Sequence, residues 1–144
     1  QAAPPAPPTR TVLVGYGRVG QLIAQRVLER GEQLTVIEDQ KDIAELADKA
    51  GLSVIIGDAT ASHILEQAGI TSASTLLVAI PEGIEAGAIT ARAREMNPSI
   101  TIIARAHSDE EVLDIGRHGA DHVVMGERET ALRMAALAAS GGGK

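Results

Sequence analysis

The sequence predicts an α/β fold: a doubly wound parallel sheet of six strands in the order 3-2-1-4-5-6, with helices on both faces. Three observations predict it. Six short runs rich in Val, Ile and Leu alternate with segments whose apolar residues recur at helical spacing, and strands joined through helices run parallel with right-handed crossovers. The run Thr75-Leu76-Leu77-Val78-Ala79-Ile80 is nearly all apolar, as suits a central strand covered on both faces. The first run opens through Gly15-Tyr16-Gly17-Arg18-Val19-Gly20 into a helical segment, the strand–turn–helix setting that gives Gly-x-Gly-x-x-Gly its physical meaning.

Residues 1–10, Gln-Ala-Ala-Pro-Pro-Ala-Pro-Pro-Thr-Arg, read as an extended Pro-rich linker, which implies something upstream. Strand 1 is Thr11–Val14. In the turn after it, Gly15 permits the tight reversal, Gly17 lets the backbone approach a phosphate and Gly20 lets the helix pack close to the strand. The helix start presents unpaired N–H groups to an anion, and Arg18 is a cation at the same place. Val19, Leu22, Ile23 and Val27 follow at helical spacing. Strand 2, Leu34–Ile37, ends in Glu38, about twenty residues on, where a carboxylate can accept from a ribose hydroxyl. No arginine follows directly, so a 2′-phosphate would be repelled. Asp39 shares that role or caps the next helix.

That helix, about 40–50, has Ile43, Leu46, Ala47 and Ala50 on one face and Gly51 at its end. Strand 3, about 52–56, leads into Gly57-Asp58-Ala59 and a helix at about 61–68. Asp58 contacts a base or caps that helix. After strand 4, Pro81-Glu82-Gly83 starts a helix at about 83–96 with two apolar sets, and Gly87 allows a second helix to come close. Strand 5, Ile100–Ala104, ends in Arg105, for which Glu85 is a candidate partner. Ser108 and Glu111 form a capping box, Ser108 capping and Glu111 reaching back. Strand 6, His122–Met125, leads into a helix at about 127–139 with so few polar positions that it needs cover on more than one face. A subunit contact or a continuation of the chain would supply that cover. Residues 140–144 read as a frayed tail, leaving 11–139 as one Rossmann-like domain.

Composition excludes several classes. The formal charge is −6, against a nucleic-acid groove or a polybasic membrane patch. With no cysteine there is no disulfide framework or thiol nucleophile. The four histidines lack an accompanying ligand set, so no metal site is expected. No Tyr-x-x-x-Lys pair, Gly-x-Ser-x-Gly elbow or Gly-Lys-Ser/Thr loop occurs, so a binding module is expected rather than an enzyme. The alternative is the cofactor domain of an NAD-dependent oxidoreductase.

Gly15-Tyr16-Gly17-Arg18-Val19-Gly20, Val36-Ile37-Glu38, Gly57-Asp58-Ala59 and Ile103-Ala104-Arg105-Ala106-His107 together resemble the RCK nucleotide-binding domain, also called TrkA-N or KTN. Ile80-Pro81-Glu82-Gly83-Ile84-Glu85-Ala86-Gly87, Ala93–Pro98 and Met125–Glu129 resemble more narrowly the Kef-type cation/proton antiporters, and among them the YbaL-like branch. The resemblance spans Thr11 to about Ala139. It implies a regulatory domain behind a transmembrane potassium or cation/proton antiporter of the same polypeptide, at the cytoplasmic face of the bacterial inner membrane. It also implies a homodimer that senses AMP or NAD(H), or alternatively ADP or ATP. By resemblance, Gly15, Tyr16, Gly17, Arg18, Val19 and Gly20 form the phosphate turn and Glu38 is the ribose acid. Asp58 and Ala59 flank the adenine, Ala79 and Ile80 line the crevice, and Arg105 lies near the phosphates or a dimer contact. His107 stands where glutathione-binding members carry a second basic residue, so glutathione gating is not implied.

Overall fold

The computed structural model describes residues 9–141, so most of the expected Pro-rich linker and the last three residues of the expected tail lie outside the described residues. The elements follow in the order β1 (Arg10–Val14), α1 (Arg18–Glu29), β2 (Gln33–Glu38), α2 (Lys41–Lys49), β3 (Ser53–Ile56) and α3 (Ser62–Gln67). After a short 3₁₀ turn come β4 (Thr75–Val78), α4 (Gly83–Met96), β5 (Thr101–Ala106), α5 (Asp109–Arg117), β6 (His122–Met125) and α6 (Gly126–Gly141). The six strands form one sheet in the order β3-β2-β1-β4-β5-β6, and every neighbouring pair is parallel. The strand order reverses between β1 and β4, so the connections that leave their carboxyl ends part to opposite faces and open a crevice there.

Side chains alternate between the two faces of the sheet. Val12, Val14, Leu76, Val78, Ile102 and Ala104 pack with α3, α4 and α5 through Leu65, Ile89, Ala93 and Ile115. Leu13 and Val36 pack on the other face with Ala24 and Val27 of α1 and Ala47 of α2. On that second face no helix among the described residues buries Ile103 of β5 or Val124 of β6.

Several details differ from the sequence expectation. Arg10 already pairs with Gln33, so the strand starts one residue inside the expected linker. Along α1, Gly20, Ala24 and Val27 are buried while Leu22 is 66% exposed. The close approach to the sheet requires small residues, which turns the larger ones outward. In α2 the buried pair is Ala44 and Ala47, and Leu46 faces out. In α4 the set Ala86, Ile89, Ala93 is the core face, and Gly87 lies against Asp114 of α5 and its C-cap His118, the close helix approach expected of it. Ser108 caps α5 by accepting from the Glu111 amide at 3.1 Å. Glu111 reaches back one residue further than a capping box, accepting from the His107 amide at 2.8 Å. The last helix extends through Ser140 and Gly141, two residues expected in the tail.

The amino edge of the sheet is closed by side chains. Asn97, buried at the end of α4, donates to the carbonyls of Ile70 and Ala73 at 2.9 Å each and accepts from Ser99. Arg94 donates to the carbonyls of Gly119, Pro98 and Ile100 and to the Asp121 carboxylate. Asp121 accepts in addition from the Ile102 amide at 2.8 Å. That backbone hydrogen bond, with Arg94 as a second contributor, holds its carboxyl below the usual carboxylate range. Three loops are thereby fastened under β4, β5 and β6.

Candidate functional site

At the opposite edge the carboxyl ends of β1, β2, β3, β4 and β5 surround a crevice of about 400 Å³. Its floor is the turn between β1 and α1. Gly15 adopts φ +97°, a conformation strained for any residue with a Cβ, and its amide donates to the Ile37 carbonyl at 2.9 Å. A Cβ on Gly20 would lie 2.0 Å from the Gly15 carbonyl oxygen. Gly20 is therefore required by closure of the turn on itself more than by the strand, whose Leu13 side chain would be 3.9 Å away. A Cβ on Gly17 would meet nothing within 4 Å. Gly17 is the N-cap of α1 and offers no side-chain acceptor, and no acid occupies the first turn. The first amides of α1 thus lack the partners that normally satisfy a helix start, and they open on the crevice.

Glu38 crosses from the end of β2 to this turn. It is 6% exposed. Its Oε1 accepts from the Tyr16 amide at 2.8 Å and its Oε2 from the Gln40 amide at 2.9 Å. These bonds fix the carboxylate in one orientation and leave further lone pairs, since an ionised carboxylate accepts about four hydrogen bonds. The fixed acid at the mouth of β2 is suited to receive hydroxyl donors.

Asp58 does not cap α3, whose N-cap is Ala61. Its Oδ1 accepts from the Thr60 amide at 2.9 Å and from the Thr60 hydroxyl at 2.7 Å. The Thr60 backbone bond is the main reason its carboxyl sits below the usual range. Asp39 does not cap α2 either: the N-cap is Gln40, without a side-chain bond. Arg105 is not paired with Glu85; its Nη1 donates to the Ala79 carbonyl at 3.3 Å. Glu85 lies in the first turn of α4. Although the residue is exposed, its carboxyl is raised above the ordinary 4.5, first by partial desolvation and then by the charges of Glu82, Asp58 and Asp39.

The structure brings eleven of the thirteen residues singled out in the sequence to this crevice: Gly15, Gly17, Arg18, Val19, Glu38, Asp39, Asp58, Ala59, Ala79, Ile80 and Arg105. Ala79 and Ile80 follow the end of β4 rather than completing it. Tyr16 and Gly20 do not line it. Tyr16 is buried in the cluster that also holds Leu13, Ala24 and Val27, and its backbone amide serves the site by donating to Glu38. Sequence reasoning missed Glu82 and Glu85 as wall residues. Their signal was position: they open the helix that follows β4, directly across the switch point from the glycine turn.

Fold and site together define a Rossmann-like domain, with a glycine turn and a β2-terminal acid at the point where strand order reverses. Residues 11–126 match the TrkA-N domain, and the chain belongs to that family. It is 44% identical over 126 residues to YbaL of Escherichia coli (strain K12), named as a candidate cation/proton antiporter; the match takes in 88% of this chain and 23% of that protein. The chain thus spans about a quarter of this curated relative. The crystal structure of the TrkA-N domain of the inner membrane protein YbaL from Escherichia coli superposes with a TM-score of 0.86 at 43% identity, covering 90% of this chain and 96% of that one. The Shewanella denitrificans Kef C-terminal domain in its AMP-bound form superposes with a TM-score of 0.77 at 25% identity, covering 94% and 82%.

Proposed function

We propose that this domain is the regulatory nucleotide-binding domain of a monovalent cation/proton antiporter, placed at the cytoplasmic face of the membrane by a transmembrane domain of the same polypeptide. Its ligand is AMP or NAD(H), with ADP and ATP as the further adenine ligands to compare. One observation carries the reading: the uncapped start of α1, open at Gly17, faces a crevice in which Glu38 is already fixed by two backbone amides. A phosphate fits the first feature and a ribose hydroxyl the second. Arg18 and Arg105 line the same crevice and suit the phosphate, while Asp58 suits the adenine amine. The names of the YbaL and Kef relatives support the antiporter setting.

The domain acts by binding, not by catalysis. Ligand shifts a conformational equilibrium by preferring one state. It does so as a homodimer. The helix α6 has no buried residue, and Leu132, Met134 and Leu137 are each more than half exposed. A second, mostly apolar groove of about 360 Å³, with Ile23, Leu77, Ile103 and Val124 in its walls, ends at Gly126, where α6 begins. A second copy supplies cover for both surfaces.

Titration calorimetry of the chain with AMP, ADP, ATP, NAD⁺, NADH and NADPH tests the ligand reading. One adenine ligand is expected to saturate, to weaken at least about tenfold in Arg18→Ala, a loss of ~1.4 kcal/mol, and to exceed NADPH in affinity. Failure of every nucleotide to bind overturns the reading. Turnover of NAD⁺ with an alcohol or hydroxy-acid substrate would favour the oxidoreductase alternative instead.

A further inference from the structure

The acids that line the crevice differ in what holds them. Glu38 commits one oxygen to the Tyr16 amide and the other to the Gln40 amide. The side chains of Asp39, Glu82 and Glu85 line the crevice and accept no hydrogen bond from any described residue. Asp58 is unlike either group. Its Oδ1 accepts twice from Thr60, from the amide at 2.9 Å and from the hydroxyl at 2.7 Å. Its Oδ2 accepts from no described residue. One oxygen is anchored and the other is open. The next residue supplies the complementary group. Ala59 is 5% exposed and lines the same crevice. It lies in the connection between β3 and α3, outside any sheet or helix ladder, and its amide meets no acceptor among the described residues. A buried amide without an acceptor is rare in a folded chain, because the missing hydrogen bond costs free energy. An open acceptor and an unpartnered donor therefore stand on adjacent residues of one crevice wall.

That pair matches one edge of adenine, where the exocyclic amine donates and the ring nitrogen beside it accepts. In hypoxanthine the two positions are reversed: a carbonyl accepts and the ring N–H donates. An ionised carboxylate can only accept, so it repels that carbonyl, and the Ala59 amide would meet another N–H. Resting on the nucleotide reading above, we propose that Thr60 sets base selectivity in the crevice: by anchoring Oδ1 of Asp58 it holds Oδ2 beside the Ala59 amide, an acceptor–donor pair that takes adenine and rejects a base with a carbonyl in place of the amine. Thr60 is a positioning residue, since it acts through Asp58. Its hydroxyl adds what its amide alone does not. The terminal torsion of an Asp side chain is soft, and a second donor on the same oxygen narrows it. The same two bonds, the backbone one first, hold the Asp58 carboxyl below its ordinary value, so the free oxygen stays an acceptor at neutral pH. The backbone and hydroxyl of one residue thus fix which face of a purine the crevice reads.

The test is titration calorimetry of the chain with AMP and with inosine monophosphate (IMP), which differ only at this edge of the base. Wild type is expected to bind AMP at least about tenfold more tightly than IMP, as suits a site built to pair with a donor and an acceptor. Thr60→Val keeps the shape of the side chain and removes its hydroxyl. It is expected to weaken AMP about threefold to tenfold and to leave IMP unchanged, whereas Thr60→Ser, which keeps the hydroxyl, is expected to match wild type. A brace that only shaped the loop would weaken both nucleotides together. Asp58→Asn tests the same edge with Thr60 intact. The Thr60 amide requires an oxygen, so the nitrogen of the new side chain takes the place of Oδ2 and offers a donor where adenine also donates. AMP affinity is expected to fall further than in Thr60→Val, and the gap to IMP to close. A Thr60→Val protein with the wild-type ratio of AMP to IMP affinity overturns the proposal. So does a Thr60→Ser protein that loses as much as Thr60→Val, or a wild type that binds the two nucleotides alike; the nucleotide reading survives these results. Wild type that binds neither overturns the nucleotide reading itself and this inference with it.

Discussion

Asn97 and Glu38 are both buried polar side chains that hold backbone groups, at opposite edges of one sheet. At the amino edge, Asn97 spends both amide hydrogens on carbonyls and its oxygen on Ser99, and Arg94 spreads its guanidinium over three carbonyls and Asp121. The polar atoms of Asn97 and the guanidinium of Arg94 are thereby committed to the chain itself. At the carboxyl edge, Glu38 is held just as firmly but keeps free lone pairs, and the helix start across from it has no cap. The difference teaches where to look for function in a doubly wound sheet. Backbone ends are satisfied by the chain at one edge and left open at the other.

Substitutions can break that contrast, and they rank by expected cost to stability. Gly20→Ala is expected to be the most damaging, because its Cβ would fall 2.0 Å from the Gly15 carbonyl oxygen. Overpacking a backbone contact of this kind costs about 3 kcal/mol or more, read as a lowered midpoint in urea unfolding, and nucleotide binding is lost with the turn. Asn97→Ala strands the Ile70 and Ala73 carbonyls and is expected to cost about 2 kcal/mol in the same measurement, with nucleotide affinity unchanged. If that variant weakened binding at wild-type stability, the separation of the two edges would fail.

A smaller effect is expected from pH. The Asp121 carboxyl is held low by the Ile102 amide and by Arg94. A lowered acid contributes stability that is present above its ordinary 3.8 and is lost as pH falls through its folded value. Asp121→Asn removes that dependence, so the gap in melting temperature between wild type and variant is expected to narrow as pH falls below about 4. An unchanged gap would mean that the Arg94–Asp121 pair contributes nothing to closing the amino edge.

Much of this was legible in sequence because it depends on local rules. The alternation of apolar runs with helical spacings gave the strand order, and the glycine spacing located the turn. The acid after β2 and Gly57-Asp58-Ala59 after β3 fell where strand ends converge. What escaped depends on contacts between elements. Leu46 points outward because Ala44 and Ala47 fit the close packing of α2 on the sheet, and a helical repeat does not choose between adjacent faces. Asp39 and Asp58 look like helix caps, but the N-caps of α2 and α3 are Gln40 and Ala61, and Asp58 is taken by Thr60. Glu85 was a candidate partner for Arg105, and nothing local shows that the arginine turns to the Ala79 carbonyl instead.

The claim that the carboxyl edge is the nucleotide site is tested most directly at Gly17. A Cβ there would meet no protein atom within 4 Å, so a side chain starts in open space beside the helix start assigned to the phosphate. Gly17→Val is expected to change stability by less than about 1 kcal/mol, as befits an N-cap change with room for the side chain. AMP affinity, measured by calorimetry on wild type and variant side by side, is expected to fall at least about tenfold. A stably folded Gly17→Val protein that binds AMP as wild type does would contradict the account and place the nucleotide elsewhere.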